Sequence, residues 1–158
     1  MLTNHDIAKW WDECWTSETE MAPWSKAVAG LTPQQAAWKP PGGHHSIWEI
    51  VLHISFWREF ELRKANGEAR DEAEIARRNW SEPEEVSEAA WSGTGGTGGT
   101  GGAVGRLAEL QTQVKAGMEE SEKKAEELRC LLLHDAYHIG QIMLLRAQQG
   151  LKALDSFA

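Results

Sequence analysis

Apolar residues recur at intervals of three or four along most of this 158-residue chain, and no segment shows the strict alternation of a half-buried strand. A period near 3.6 residues is typical of amphipathic helices. The sequence therefore predicts an all-α fold. A chain of this length with 41% hydrophobic residues suffices for one core and is too short for two ordinary domains, so residues 1–158 are expected to form a single domain.

The first helix is expected to begin at a capping pair. Thr3 and Asp6 have the spacing of a capping box, in which each side chain bonds the backbone N–H of the other residue. The apolar face of this helix is traced by Ile7, Trp10, Trp11, Trp15 and Met21. The helix should end within residues 23–30. Thr32 followed by Pro33 then predicts a short helical turn, which the prolines and glycines of residues 40–43 stop.

A second capping box, S-x-x-E, opens the most regular helical segment of the chain. Ser46 and Glu49 form this box, and the helix is expected to span residues 46–66, with Asn66 and Gly67 as its stop. His53 falls on its apolar face. Residues 68–90 are polar and acidic, and they predict a long connection that crosses the end of the helical assembly.

Residues 92–105 read SGTGGTGGTGGAVG and hold eight of the fifteen glycines, which is the composition of a flexible linker. A phosphate-binding glycine loop is disfavoured because no strand precedes the tract and no Gly-Lys-Ser or Gly-Lys-Thr follows it. Two further helical stretches begin near Val104 and Leu128. The turn between them is expected within residues 117–123, where apolar residues are fewest, and Gly150 is expected to cap the last helix.

The balance of charge narrows the classes of partner. The formal net charge of -8 disfavours binding to nucleic acid or to an anionic membrane surface and favours a small-molecule substrate. No apolar run reaches the roughly 18 residues that span a bilayer, and the first residues lack the pattern of a signal peptide. The protein is therefore expected to be cytoplasmic, with Cys14 and Cys130 as free thiols.

Three histidines suggest a site for one divalent metal ion. His134 and His138 are four residues apart on a predicted helix, so both imidazoles project from the same face. The string H-D-A-Y-H differs from the metalloprotease H-E-x-x-H by the shorter Asp135, and a third ligand must come from upstream. His53 is the candidate, because an unpartnered imidazole on an apolar face would be costly. Taken alone, His53 also fits a core histidine bonded to a carbonyl.

Two stretches carry a family resemblance. The sequence LTPQQAAWKPPGGHHSIWEIVLHISFW, residues 31–57, together with LLLHDAYHIGQIMLLRAQQG, residues 131–150, resembles the DinB-like superfamily, which includes the YfiT-type proteins. The resemblance implies a four-helix bundle in up-down-down-up order with a long crossover connection. It also implies a metal triad at His53, His134 and His138, and characterised relatives imply a transferase that uses a low-molecular-weight thiol. The glycine tract departs from the family pattern, which continues helix three there.

Three neutral imidazoles suit zinc or nickel, and also iron, cobalt or manganese, and leave open positions for a ligand. A thiol bound as thiolate would support transfer to an electrophilic small molecule, whereas an acidified water would support a metal-dependent hydrolase. A non-catalytic bundle that binds metal or ligand remains open as well. We expect an apolar pocket walled by Trp57 and by residues of the first helix, with Tyr137 outside it unless the last helix is rotated.

Several nearby residues have two interpretations at this level. Asp135 and Gln141 either accept an N–H from a metal ligand or face solvent. Glu49 either adds a carboxylate ligand or only caps its helix. His44 and His45 lie on a loop, where exposure is the usual outcome. Finally, several of the nine tryptophans have the spacing of core residues; if their number exceeds what so short a bundle can bury, an exposed aromatic patch and a homodimer are predicted.

Overall fold

Helices account for all the regular secondary structure in residues 3–17, 22–43, 45–93 and 101–151, which are the parts of the chain that the computed structural model describes. The all-α prediction is confirmed within these ranges. In chain order the helices are α1 (Asn4–Thr16), α2 (Trp24–Ala27), α3 (Pro33–Ala37), α4 (Ile47–Ala65), α5 (Glu72–Arg78), α6 (Glu88–Trp91), α7 (Gly102–Glu120), α8 (Glu122–Leu128) and α9 (Cys130–Gln148).

The first helix begins where its capping box predicted, but it is shorter than expected. The side chains of Thr3 and Asp6 cap each other's backbone N–H, and α1 then ends at Thr16 rather than within residues 23–30. The chain instead starts the short helix α2 after Pro23, a residue that lacks the N–H needed inside a helix. The new direction buries Trp24 completely.

The apolar face of α1 is narrower than predicted. Trp11 is completely buried, whereas the adjacent Trp10 is 45% exposed because it lies about 100° away around the helix. Trp80 is 38% exposed on a separate segment after α5. Four of the nine tryptophans are at most 2% exposed: Trp11, Trp24, Trp48 and Trp91. The two exposed tryptophans lie on different segments of the chain, and the predicted aromatic patch stays a prediction. Met21 lies outside the described residues.

The second long helix agrees with its prediction to within one residue at each end. Ser46 and Glu49 form the capping box of α4, and the chain leaves the helix at Asn66 and Gly67, whose φ of 93° is accessible to glycine at little cost. The short turn predicted after Thr32 is α3, also with a capping box and with Pro33 in its first turn. Residues 68–90, whose conformation the sequence left undetermined, contain α5 and the start of α6.

The turn between the last two helical stretches falls inside the predicted residues 117–123. Ser121 has extended backbone angles, ends α7 and caps α8 through its side chain. A break at Arg129 separates α8 from α9, and Gly150 follows α9 with a φ of 67°. Helix α7 packs close to its neighbours at Gly117, where an added Cβ would lie 3.1 Å from side-chain atoms of both Leu62 and Leu128.

The glycine tract is only partly described. Residues 102–105 form the first turn of α7 rather than part of a linker, which corrects the prediction for that end of the tract. A Cβ at Gly102 would clash with the backbone of Gly93, and its φ is 84°, so glycine is required there. Residues 94–100 lie outside the described residues.

The packing of the long helices determines where the predicted ligands lie. Helix α7 lies against both α1 and α4, and α4 also packs against α9. One buried cluster joins α2, α3, α4, α6, α7 and α9, while a second joins α1, α7, α8 and α9. The contact between α4 and α9 brings together the two segments that carry the predicted ligands. No helix in the described ranges combines the length and the apolar character that a membrane crossing requires.

Candidate metal centre

The three predicted ligands lie next to one another between α4 and α9. His53 projects from α4, and His134 and His138 project from α9, with one ring nitrogen of each within 4.8 Å of the others. The Nε2 atoms of His53 and His134 are 3.2 Å apart. His53 and His138 are buried, and His134 is half-buried. The spacing of the pair on α9 and the apolar position of His53 thus correctly identified a group that could hold a metal ion.

His53 donates a hydrogen bond to a main-chain carbonyl, which was the alternative role considered for it. Its Nδ1–H donates to the main-chain oxygen of Asn79 over 2.6 Å, which leaves Nε2 free to face the other histidines. The side-chain oxygen of Asn79 accepts the indole N–H of Trp57 over 2.8 Å. The two interpretations of His53 are therefore compatible, because each concerns a different ring nitrogen.

His138 is oriented by the next turn of its own helix. Its Nδ1–H donates to Oε1 of Gln141 over 2.7 Å, and the Gln141 amide in turn donates to the hydroxyl of Tyr137 over 3.0 Å. Of the two interpretations of Gln141, the one in which it accepts the N–H of a candidate ligand agrees with this hydrogen bond. Such an acceptor fixes which ring nitrogen carries the proton and thereby leaves the other available to a metal.

Asp135 is buried, so its solvent-facing interpretation is wrong. Its Oδ2 atom lies 2.6 Å from Nη2 of Arg58 and also accepts the indole N–H of Trp24. Arg58 is itself fully buried, with its guanidinium 4.7 Å from the centre of the Trp11 ring. Removing this charge pair from water is costly, and the cost is offset only by the dense set of hydrogen bonds around it.

The second oxygen of Asp135 lies near the candidate centre and has no hydrogen-bond partner. Oδ1 of Asp135 and Nδ1 of His134 are 3.7 Å apart, and both are buried atoms without a hydrogen-bond partner. Buried polar atoms in this state are unfavourable, and a shift of about 0.5–1 Å would join them. Asp135 is therefore placed to accept the ring N–H of His134, as Asn79 and Gln141 do for the other two histidines.

Burial keeps two of the imidazoles uncharged at neutral pH. Burial is the largest cause that lowers the pKa of His53 to about 4; the hydrogen bond to the Asn79 carbonyl opposes this shift, and the electrostatic effect of the neighbouring histidines adds to it. Burial likewise lowers the pKa of His138. The neutral imidazole is the form that ligates a metal, so little proton release is needed for binding.

The donor set fits one divalent ion. Two imidazole nitrogens bound at about 2.0–2.1 Å to a tetrahedral ion lie about 3.3 Å apart, close to the 3.2 Å between the Nε2 atoms of His53 and His134. The hydrogen bonds at Nδ1 of His53 and His138 leave the Nε2 atoms of these two rings unprotonated and available to a cation. Three neutral imidazoles also leave at least one coordination position open to a ligand.

Glu49 does not belong to this donor set. One carboxylate oxygen accepts the backbone N–H of Ser46, and the other lies 2.6 Å from the ammonium of Lys39. Its capping role, together with this ion pair, accounts for both oxygens.

Sequence reasoning missed the segment that covers the centre. The ring of Trp80 lies between the rings of His45 and His53, with centroid separations of 3.7 Å and 3.8 Å and interplanar angles of 8°. His45 is half-buried rather than exposed, and His44 lies outside the described residues. The sequence did contain a signal for the importance of this segment, because Trp80 is the one tryptophan within the polar residues 68–90.

A pocket of about 380 Å³ opens beside two of the histidines. Its lining consists of His53, Trp57, Glu61, Asn79, Cys130, Leu131 and His134. Trp57 is a wall as predicted, but the remaining residues come from α4, α9 and the segment after α5, and the prediction of helix-one walls is wrong. Cys130, to which the sequence assigned no role, lines this pocket, whereas Tyr137 does not. Burial, and secondarily the charge of Glu61, raises the pKa of the Cys130 thiol.

The fold and this centre define a class: an all-α protein with a three-histidine site between two packed helices. A sequence profile described as the DinB superfamily matches residues 18–142, which include all three histidines. The chain belongs to the DinB superfamily. No curated protein and no solved structure gives a significant match to it.

Proposed function

We propose that this DinB-superfamily protein binds one divalent ion, zinc or nickel, through His53, His134 and His138, and joins a low-molecular-weight thiol to an electrophilic small molecule. The observation that carries the proposal is the pocket whose lining includes His53 and His134. A ligand in that pocket reaches the open side of the three-nitrogen group. An ion there supplies positive charge that favours the deprotonated form of a thiol at its open positions.

The residues that line the pocket have separate proposed roles. Trp57 and Leu131 provide apolar walls, which favour the uncharged part of a substrate and limit access of water. Asn79 holds His53 through its main-chain oxygen and Trp57 through its side chain, so one residue positions a ligand and a wall together.

The thiol is proposed to come from outside the protein. Cys130 lines the pocket, but the raised pKa of its thiol keeps it protonated at neutral pH. A protonated thiol is a poor nucleophile. We therefore propose that the nucleophile is a free thiol rather than Cys130.

Metal-dependent hydrolysis is the second candidate, and Glu61 is the observation that favours it. Its carboxylate lines the same pocket and could accept a proton from an attacking water. It is, however, 2.6 Å from the ammonium of Lys64, so it is already engaged in an ion pair. The variant Glu61→Gln separates the candidates, because it should abolish ester hydrolysis and leave thiol binding at the centre intact.

We also infer that α1, α4, α7 and the α8–α9 segment form the up-down-down-up bundle of the family, with residues 68–90 in the crossover. The packing of α7 against both α1 and α4, and of α4 against α9, supports this order. A cytoplasmic location stays a prediction from the sequence.

Metal analysis followed by cobalt substitution tests the proposal. The purified protein should contain close to one equivalent of a divalent metal per chain, and the cobalt form should develop a sulfur-to-metal charge-transfer absorption when a small thiol is added. Absence of the absorption with a panel of biological thiols, together with ester hydrolysis that is lost in His134→Ala, would establish the hydrolase instead. Metal without either activity would leave a non-catalytic binding bundle.

A further inference from the structure

The candidate centre has two sides, and they differ in what lies beside them. Among the described residues, the lining of the pocket of about 380 Å³ includes His53 and His134 but not His138. The indole of Trp80 lies toward His138: its ring centroid is 3.8 Å from that of His53 and 5.9 Å from that of His138. The group of three histidines is therefore open toward the pocket and covered by an aromatic ring on the side of His138.

Trp80 is the middle ring of a stack of three. Its two faces lie against His53 and His45, with centroid separations of 3.8 Å and 3.7 Å and an interplanar angle of 8° on each side. Trp80 is nevertheless 38% exposed, so part of the indole faces water. One aromatic side chain is therefore in contact both with a candidate ligand and with solvent.

Contacts on both sides of Trp80 along the chain hold it in this position. The preceding residue, Asn79, accepts the ring N–H of His53 through its main-chain oxygen. Two residues after Trp80, a carboxylate oxygen of Glu82 lies 2.8 Å from the ammonium of Lys39. That ion pair is exposed, and exposed pairs contribute little to stability. The position of Trp80 therefore depends mainly on contacts with the centre itself.

We propose that Trp80 closes the His138 side of the centre, so that ions and small ligands reach the three histidines through the pocket beside Trp57. This role rests on the proposed function, because it concerns access to a metal at the centre. It makes Trp80 a specificity-determining residue: with one side closed, a thiol and its electrophile share a space of about 380 Å³. A confined, mostly apolar space of this size selects small reactants and brings them together.

The rate at which Co²⁺ binds to the metal-free protein tests this role. Stopped-flow absorbance of the cobalt bands gives the association rate constant, and an equilibrium titration gives the affinity. Trp80→Ala opens a second route, and association should become faster by about 10-fold, the rate effect of losing one stacked aromatic contact. Trp80→Phe keeps an aromatic cover and should stay close to the parent. Weaker binding without faster association would mean that Trp80 only orients His53, and would overturn the proposal.

A variant of the pocket distinguishes the two routes. Cys130 is exposed and lines the pocket, so Cys130→Phe narrows that route. The variant should slow the association of Co²⁺ several-fold in the parent protein and have little effect in combination with Trp80→Ala, where the second route is open. Arg129→Phe is the matched control, because it adds the same ring at the exposed neighbouring position outside the pocket lining. Equal slowing by Cys130→Phe in both backgrounds would contradict a closed His138 side.

Two controls separate this role from the proposed metal binding. Trp10→Ala removes a tryptophan that is 45% exposed on α1, and its association with Co²⁺ should match the parent. Trp80 lies between α5 and α6, so its variants should keep the helical circular dichroism of the parent. A parent protein that binds no Co²⁺ would overturn the metal function together with this role. Normal Co²⁺ binding with unchanged association in Trp80→Ala would overturn the role of Trp80 alone.

Discussion

At the scale of single residues, each histidine of the candidate centre faces a different oxygen acceptor, and two of the three are hydrogen-bonded to it. His53 uses the main-chain oxygen of Asn79, His138 uses the side chain of Gln141, and His134 faces the unpartnered oxygen of Asp135. These acceptors come from two different parts of the chain. Because a hydrogen bond restricts a ring, the rings of His53 and His138 are oriented before an ion arrives.

Removing any triad histidine should lower the metal content sharply and leave a helical protein. His53→Ala, His134→Ala and His138→Ala each delete one of three nitrogens, whereas the apolar helix faces still associate. Metal analysis after dialysis against a weak chelator measures the loss. His5→Ala is the control, because His5 is exposed in the first turn of α1 and should retain the metal content of the parent. Undiminished metal in His53→Ala would refute the three-histidine centre.

Gln141→Ala should reduce the affinity for metal by about 10-fold to 100-fold with little effect on stability, because it removes the acceptor that orients His138. A competition titration with a chromophoric chelator measures the change. Gln148→Ala is a control on the same helix, since Gln148 is exposed and should bind as the parent does. Equal affinities in the two variants would mean that Gln141 does not position the ligand.

The buried pair of Arg58 and Asp135 makes a separate prediction about stability. Asp135→Ala leaves a fully buried guanidinium without its counter-charge, and the free energy of unfolding should fall by about 3–5 kcal/mol. Urea denaturation of the metal-free protein measures this loss and excludes any effect on the metal. Asp12→Ala is the control, because Asp12 is exposed and its ion pair with Lys115 should contribute less than about 1 kcal/mol. Similar losses in the two variants would contradict the assigned role.

At the scale of helices, the close approach of α7 to α4 and α8 depends on Gly117. Gly117→Leu places a side chain where a single Cβ already lies 3.1 Å from Leu62 and Leu128, so overpacking should cost about 1–3 kcal/mol. Ala116→Leu, at the exposed neighbouring position, should be close to neutral. Thermal unfolding of the two variants compares them directly. A neutral Gly117→Leu would show that these helices can separate without cost.

At the scale of the whole molecule, folding stability should depend on pH through His53. The pKa of His53 is about 4 in the fold and about 6.5 in an unfolded chain, so the unfolded state binds more protons between these values. Stability therefore rises with pH in this window. The contribution is complete above pH about 6.5 and is lost as the pH falls toward about 4.

The measurement compares the melting temperature of the metal-free protein at pH about 7.5 and at pH about 5. These values lie about 1 unit above and about 1.5 units below the ordinary histidine pKa. The parent should lose stability at the lower pH, and His53→Gln should lose less of it, because glutamine does not titrate. The same decrease in both proteins would assign the effect to other groups.

Local sequence was sufficient for much of the fold because the relevant contacts span only a few residues. A capping box involves residues three apart, and the pair on α9 needs only helical spacing, so the starts of α1 and α4 and the positions of His134 and His138 were predictable. His53 was predictable as a candidate ligand from its place on an apolar face together with the histidine pair on α9. The early end of α1 at Thr16 was not predictable, because no glycine or proline marks that position in the sequence.

Only the tertiary structure decided how the centre is supported. Trp80 covers His53, Arg58 neutralises Asp135, and Cys130 enters the pocket through contacts between residues far apart in the chain. No local spacing encodes such contacts, since they depend on the rotation of each helix against its neighbours and on the path of residues 68–90. The sequence by itself therefore determined which residues are presented on each helical face. The packing of α4 against α9 determined that three of them share one centre, because a metal site requires atoms to meet within a few ångströms.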